Sequence, residues 1–381
     1  MKRVGVIGGG QLAWMMAPAA QKLDMSLVVQ TPQESDPAVT VASRVVLAAV
    51  ADAAATEQLA KHCDVITFEN EFVDLAALAK LEAQGVCFYP KIRSLAPLLD
   101  KLDQRQFLQQ IGVPTPRFTP IAEELKPQQL SQFGWPTVLK TRRHGYDGQG
   151  TFILEATDTL PSTSTSIPWL LEEYVPFQCE LAVMAARSAT GEIVIYPVVE
   201  TQQEAQVCRR VFATGFESAA DQAEAIACRI LQALDYVGVM GIEFFLTRQG
   251  LLVNELAPRT HNSGHYTLDA CATSQFEQQL RAVAGLPLGS PELTCAGAVM
   301  VNLLGYEVAR RDYQEKRSAL SQIPNASVYW YGKTARPGRK LGHVTVRLEA
   351  DQLDEAEQIA EQIEQLWYPA FEDDEDIYLE G

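Results

Sequence analysis

Apolar runs alternate with helix-patterned stretches through the first hundred residues. The runs at 4–8, 27–30, 64–68 and 86–89 are short and almost wholly apolar, as buried parallel strands are. Between them fall stretches with helical spacing. One follows the turn Gly8-Gly-Gly-Gln-Leu-Ala13 and continues through Trp14, Met15 and Met16. Another carries Leu75, Leu78 and Leu81 on one face, with Asp74 as N-cap and Gly85 as C-cap. Alternation of this kind predicts a doubly wound parallel sheet over residues 1–100.

The pattern then changes. A helix near 100–111 ends at Gly112, and Pro114 and Pro116 mark a boundary. Residues 101–180 read as a small β-rich domain. Strands at 136–140 and 151–154 flank a glycine loop, a Ser/Thr-rich surface stretch follows at 157–166, and an exit strand covers 169–175. Residues 181–381 read as a larger mixed α+β domain with a strand at 193–199 and helices near 221–234 and 275–284. A last helix carries Ile359, Ile363 and Leu366.

The hairpin within that domain has the most pointed chemistry. Two apolar runs flank a turn ending at Gly250. With a three-residue loop, Glu243 faces Glu255, and like charges so placed destabilise a sheet. A divalent cation between them would turn repulsion into ligation, with Asn254 as a third oxygen donor. Hard oxygen ligands suit Mg²⁺, which takes the rest of its shell from phosphates. A two-residue loop would shift the register and separate the pair. Taken alone, the hairpin reads as an edge with two solvated acids.

Composition narrows the classes. The chain has 381 residues, of which 47% are hydrophobic, enough for two or three cored domains. Its apolar runs are too short to span a bilayer, and its N-terminus lacks the marks of a signal peptide. Seven cysteines without a Cys-x-x-Cys pair fit a reducing cytoplasm. A net charge of −17 speaks against nucleic-acid binding. The acidic run 372–376 contributes to it as a solvated tail. Anionic ligands would need local basic clusters, of which 140–144 and 333–340 are the candidates.

Gly8-x-Gly10-x-x-Ala13 after a strand matches the dinucleotide fingerprint, whose glycines let backbone N–H groups reach a phosphate. An NAD site also wants an acid ending the second strand, where Gln30-Thr31-Pro32 stands. The loop therefore suits a phosphate or polar ligand, or is only a tight turn. His144-Gly-Tyr-Asp-Gly-Gln-Gly150 could fold over phosphates beside Lys140, or be a plain surface loop. Glu172 to Val175 and Glu180 offer a strand edge for a purine rim and a carboxylate for ribose hydroxyls. His261 and His265 default to structural histidines.

The order of these features resembles the ATP-grasp superfamily. Within it the chain resembles the N5-carboxyaminoimidazole ribonucleotide synthetases of purine biosynthesis. Gly8-Gly-Gly-Gln-Leu12, Thr67-Phe-Glu-Asn-Glu71, Lys140-Thr-Arg-Arg with Gly145-Tyr-Asp-Gly148, and Glu172-Glu-Tyr-Val175 carry the likeness. So do Asn254-Glu-Leu-Ala-Pro-Arg259, His261-Asn-Ser-Gly-His265 and Arg336-Pro-Gly-Arg-Lys-Leu-Gly-His343. The resemblance implies an ATP- and Mg²⁺-dependent ligase that carboxylates aminoimidazole ribonucleotide with bicarbonate, by way of carboxyphosphate, and works as a homodimer. It implies that Lys101 and Lys140 meet ATP phosphates under a loop of Gly145, Tyr146, Asp147, Gly148, Gln149, Gly150 and Thr151. Glu172, Glu173, Tyr174 and Val175 would form the adenine hinge, Glu180 would hold the ribose, and Gln203 would lie near the nucleotide. Glu243, Glu255 and Asn254 would hold Mg²⁺. Gly8, Gly10, Gln11, Leu12, Glu71, Tyr146, Arg259, Asn262, Ser263, Lys333, Arg339 and Lys340 would surround the ribonucleotide and bicarbonate. Arg259, His261 and Lys340 would act on the reacting groups. The chain departs from the family at Ala13-Trp14, where Gly-Arg is usual, and at Gln149, where a basic residue is frequent. The alternatives are another ATP-grasp ligase with a different acceptor, an NAD-dependent oxidoreductase and a non-catalytic nucleotide sensor.

Overall fold

The computed structural model describes residues 1–121, 125, 129–130, 133–143, 150–157 and 168–369. Most of the glycine loop (144–149), the Ser/Thr-rich stretch (158–166) and the acidic run (372–376) lie outside these residues. The described residues form three sheets.

The first sheet is parallel throughout. It comprises β1 (Lys2–Ile7), β2 (Met25–Thr31), β3 (Arg44–Leu47) and β4 (Val65–Phe68), in the order β3-β2-β1-β4. Helix α1 (Gln11–Lys22) follows β1, α2 (Ala53–Ala60) precedes β4, and α3 (Leu75–Ala83) follows it. Asp74 caps α3 by accepting from the Ala77 N–H, and Gly85 takes a positive φ of 99° just beyond its end. Residues 86–89, expected as a strand, make only an isolated bridge from Phe88 to Ile66. Phe88 is buried there against Phe68.

Helix α4 (Lys101–Gln110) starts from Asp100, whose carboxylate accepts from the Leu102 N–H. A second sheet follows: β5 (Phe118–Ile121), β6 (Thr137–Thr141), β7 (Thr151–Leu154) and β8 (Trp169–Glu173), in the order β5-β8-β6-β7. Asp100 also anchors this sheet, through Arg142 Nε at 2.8 Å and Arg143 Nε at 3.1 Å. Strand β8 stops at Glu173, so Tyr174 and Val175 lie in the connection rather than in the expected strand.

The third sheet is antiparallel and has nine strands. Its path runs β14 (Gly250–Ala257), β13 (Gly238–Thr247), β9 (Cys179–Arg187), β11 (Val199–Glu204), β12 (Val207–Ala213), β15 (Gly297–Leu304), β17 (Lys340–Leu348) and β16 (Ala326–Trp330). The short β10 (Ile193–Ile195) pairs with β9, so the strand expected at 193–199 is split in two. Helix α5 (Glu217–Ala233) covers one face, and α6 (Gln275–Ala284) lies between this sheet and the first. Gln279 of α6 joins them: its side-chain oxygen accepts from Val239 N at 2.6 Å and its amide donates to Thr67 Oγ1 at 2.7 Å. The last helix, α7 (Ala356–Trp367), buries Ala356, Ala360, Ile363 and Trp367 against β15 and β17. The side chain of Gln104 bonds both the N–H and the C=O of Leu256, which fixes α4 against β14.

Candidate active site

The hairpin register creates the site. Thr247 pairs with Gly250 across a two-residue turn, and pairing continues to Phe244 and Val253. There it steps by one, so that Glu243 pairs with Glu255 and Asn254 is left as a bulge. The expected three-residue loop is therefore wrong, yet the acids still face each other, because the bulge restores the register that the shorter turn removes. Bulges re-aim side chains beside active sites. The Asn254 side chain accepts from Lys140 Nζ at 3.2 Å.

The charges around this pair are unequal. Burial and the facing Glu255 and nearby Glu180 push the Glu243 carboxyl up to about 7. Glu255 is also penalised by burial, but Lys101 Nζ at 2.7 Å outweighs it and holds the group below the ordinary range. Glu180 lies on the same face one strand over and is pushed up to about 7 by burial, opposed by Lys140. Burial would also raise Glu172, yet Arg105 and Lys140 hold it at about 2. Its carboxylate lies 2.6 Å from Arg105 Nε and 2.8 Å from Lys140 Nζ. Burial lowers Lys140 in turn, against Glu172.

The donor set fits Mg²⁺. Two carboxylates face each other, burial and repulsion disfavour one of them as an anion, and the bulged Asn254 between the strands lines the same cleft. Among the described residues no three His, Cys, Asp or Glu are grouped to hold a metal. A cation held here would complete its shell from phosphates and water, as Mg²⁺ does.

One cleft of about 670 Å³ gathers most of the expected residues. Lys101, Lys140, Thr151, Glu172 to Val175, Glu180, Gln203, Glu243, Asn254 and Glu255 line it, together with Glu71, Arg259, His261, Asn262 and Lys340. The Phe177 and Phe245 rings stack at 4.9 Å, and both border the same space. Gly145 to Gln149 lie outside the described residues. Gly150 follows them with a φ of 78°, and its carbonyl accepts from Thr141 N at 2.7 Å.

A second group adjoins the cleft. A Cβ at Gly8 or Gly10 would collide with the Glu69 carboxylate, so these glycines let the β1–α1 turn close on it. Burial raises Glu69, against Arg259, Asn70 and Lys333. Lys333 donates to Gln11 Oε1, which ties the basic loop to the start of α1. Arg339 donates to the Thr334 carbonyl at 3.0 Å. Arg259 Nε stands 2.9 Å from Glu71. His261 Nε2 lies 3.7 Å from Glu243 and its Nδ1 2.9 Å from Ser263 Oγ. Gly241 makes room for this ring, since a Cβ there would lie 2.7 Å from His261 Cβ.

Three of the expected residues have side chains that are buried or already engaged. Leu12 packs its side chain in the core and can offer a ligand only backbone. Ser263 is buried against His261 and Met184 instead of facing the cleft. The Glu172 carboxylate is engaged by two cations, which leaves only its backbone for a purine. Sequence reasoning also missed Glu69, Asp100 and Arg105. Lys101 and Arg105 stand at i, i+4 on one helix face, the one local signal that pointed to Arg105. At the end of the second strand, where an NAD site would place an acid, the Gln30 side chain donates to the Ala49 and Asp52 carbonyls and accepts from Thr56 Oγ1. At the departure from the family pattern, Trp14 packs edge-on against Tyr331.

Comparison with known proteins agrees with this geometry. Residues 1–97 match the ribonucleotide synthetase preATP-grasp domain, 106–276 the ATP-grasp domain, and 298–358 the phosphoribosylaminoimidazole carboxylase C-terminal domain. The chain is 56% identical over 378 residues to the N5-carboxyaminoimidazole ribonucleotide synthase of Synechococcus elongatus, covering 96% of each. Its fold superposes on the ATP complex of the carboxyaminoimidazole ribonucleotide synthase of Aspergillus clavatus with a TM-score of 0.88, at 33% identity over 96% of this chain and 98% of that one. A second structure from that organism, with ADP and 5-aminoimidazole ribonucleotide, gives a TM-score of 0.85 at 31% identity, again covering 96% and 98%.

Proposed function

This chain belongs to the N5-carboxyaminoimidazole ribonucleotide synthase family of ATP-grasp ligases, and on that premise we propose how its own residues divide the work. The protein is an ATP- and Mg²⁺-dependent carbon–nitrogen ligase of purine biosynthesis. It carboxylates 5-aminoimidazole ribonucleotide with bicarbonate, giving N5-carboxyaminoimidazole ribonucleotide, ADP and phosphate. One observation carries the assignment of roles: Glu243 and Glu255 face each other beside Lys140 and Lys101 in a single cleft.

A bicarbonate oxygen attacks the γ-phosphorus of ATP, and the bond to ADP breaks to leave carboxyphosphate. Phosphoryl transfer asks the protein chiefly for position and positive charge. Lys140 and Lys101 supply it at the phosphates, and Glu243, Glu255 and Asn254 would hold Mg²⁺, which would supply further positive charge to the transferring group. The strand end at Glu173 to Val175 offers backbone to adenine, Glu180 accepts from ribose hydroxyls, and Gln203 lies alongside. The exocyclic amine of the ribonucleotide then attacks the carbon of carboxyphosphate, displacing phosphate, or of CO₂ already released from it with phosphate, and the amine loses a proton. Arg259 and Lys340 orient the anions, and His261 handles the proton. Gly8, Gly10, Gln11, the Leu12 backbone, Glu71, Asn262, Lys333 and Arg339 surround the ribonucleotide. Carboxyphosphate hydrolyses readily, so the loop Gly145 to Thr151, with Tyr146, has to exclude water.

We further propose domains at 1–100, 101–180 and 181–381, and a cytoplasmic homodimer. All seven cysteines are free thiols, which supports a reducing compartment. Among the described residues no helix is long and apolar enough to cross a membrane. Light scattering tests the dimer. The decisive assay is ADP release with bicarbonate and a panel of amine acceptors. Turnover that requires 5-aminoimidazole ribonucleotide supports the reading, and equal turnover with another acceptor defeats it.

A further inference from the structure

Arg105 does not line the cleft, yet it touches two groups that do. It sits on α4 with 2% of its surface exposed. Its Nε donates to Glu172 Oε1 at 2.6 Å and its Nη2 to the Asn254 carbonyl at 2.6 Å. The other Glu172 oxygen meets Lys140 Nζ at 2.8 Å, and Lys140 Nζ reaches Asn254 Oδ1 at 3.2 Å. These contacts close a ring: Arg105, Glu172, Lys140, Asn254 and back to Arg105. Its corners come from α4, β8, β6 and the bulge of β14.

We propose that Arg105 is a positioning residue that aims Lys140 at the nucleotide phosphates and locks the Asn254 bulge; the inference rests on the role given to Lys140 above. The charge count explains why a cation is needed. Two cations around one buried carboxylate leave a net positive charge. Without Arg105, Glu172 and Lys140 form a neutral pair, and Lys140 keeps only the carboxylate and an Asn254 side chain whose backbone is no longer fixed. Geometry explains why the cation is arginine. A planar guanidinium donates along two directions at once, to a side chain and to a carbonyl from different strands, whereas an ammonium is a point charge on a flexible stem. The Asn254 carbonyl belongs to the bulged residue, so its fixed bond also sets the residue's side chain and the neighbouring Glu255.

The test is a double-mutant cycle on the full-length enzyme. Arg105→Met and Arg105→Lys are made alone and with Lys140→Met. kcat and KM are read from ADP release at saturating bicarbonate, and thermal midpoints with and without Mg²⁺ and ADP. Arg105→Met should lower kcat about 30-fold, the scale of a misaimed group. KM for the ribonucleotide should stay within about threefold and Arg105→Lys should recover part of kcat, because only the ATP half is disturbed. In the Lys140→Met background the same change should matter less than about threefold, since residues acting as a unit are not additive. Equal factors in both backgrounds, or Arg105→Met alone within about threefold of wild type, would overturn the proposal. If Arg105→Met does not fold, Arg105→Gln takes its place in the cycle, and the same results support or overturn the proposal. A wild-type enzyme inactive with the ribonucleotide would defeat the parent reading, whereas an active one with multiplicative losses defeats only this one.

Discussion

Replacing Glu243 with glutamine should make the metal-free protein more stable. Burial and two neighbouring carboxylates move this group from its ordinary 4.5 to about 7. At about 1.4 kcal/mol for each tenfold in proton affinity, that distance is about 3 kcal/mol. A quarter of the side chain is exposed, so solvent screening makes about 2 kcal/mol the better figure. The sign follows from linkage. A folded-state pKa above the unfolded one means that protonation favours the fold. The contribution is whole below pH 4.5 and is lost as pH rises through about 7. Glutamine cannot ionise and keeps it. An unfolding entropy of roughly 2.1 cal/mol/K per residue over 381 residues converts about 2 kcal/mol into a rise of about 2–3 °C. The assay is thermal unfolding of both proteins at pH 8.5 and pH 4.5, each with chelator and with Mg²⁺ plus ADP. With chelator the variant should lead at pH 8.5 and match wild type at pH 4.5. With Mg²⁺ and ADP at pH 8.5 the order should reverse, because only wild type gains the full ligand stabilisation. A variant less stable than wild type at pH 8.5 with chelator would refute the repulsion argument. Undiminished stabilisation by Mg²⁺ and ADP would remove Glu243 from the metal site.

Three further outcomes follow from the same geometry. Glu255→Ala should fold normally and lose ribonucleotide-dependent ADP release at least ~100-fold; near-normal turnover rejects the metal assignment. Lys340→Ala should chiefly raise KM for the ribonucleotide, and an unchanged KM with weaker ATP binding would move that residue to the other half of the cleft. In Gly241→Ala the new methyl would lie 2.7 Å from His261 Cβ and displace the ring, so kcat should fall about 10–100-fold while KM for ATP holds. Retained kcat there would separate His261 from the chemistry.

Local periodicity made much of the fold legible. The helix expected at 275–284 is α6, and Asp74 caps α3 as its position suggests. Pairing across long sequence separations was not legible. Lys333 meets Gln11 over 322 residues and Arg105 meets Glu172 over 67, and no local pattern records either. Glu69 was in view within Thr67-Phe-Glu-Asn-Glu71, but only the β1–α1 turn shows that Gly8 and Gly10 close on it. The facing acids were anticipated for an incorrect reason. A two-residue turn and a bulge together produce the register that a three-residue loop would have given, and a sequence contains no direct sign of a bulge.

Four carboxylates of the cleft sort themselves by partner, and the sorting separates framework from ligand contacts. Glu172 has two cations and is held at about 2, while Glu255 has Lys101 and sits below its ordinary range. Glu180 and Glu243 are both driven to about 7 by burial that the surrounding charges do not offset. A carboxylate compensated from within the protein has little to gain from a ligand, so Glu172 works as structure. A carboxylate left uncompensated gains most from an incoming cation or hydroxyl, which suits Glu243 to Mg²⁺ and Glu180 to ribose. Glu255 belongs to both groups. Its pairing with Lys101 at 2.7 Å favours the ionised form, so on the proposed reading one anion would be ready for the metal and the Lys101 ammonium would stand near the phosphates.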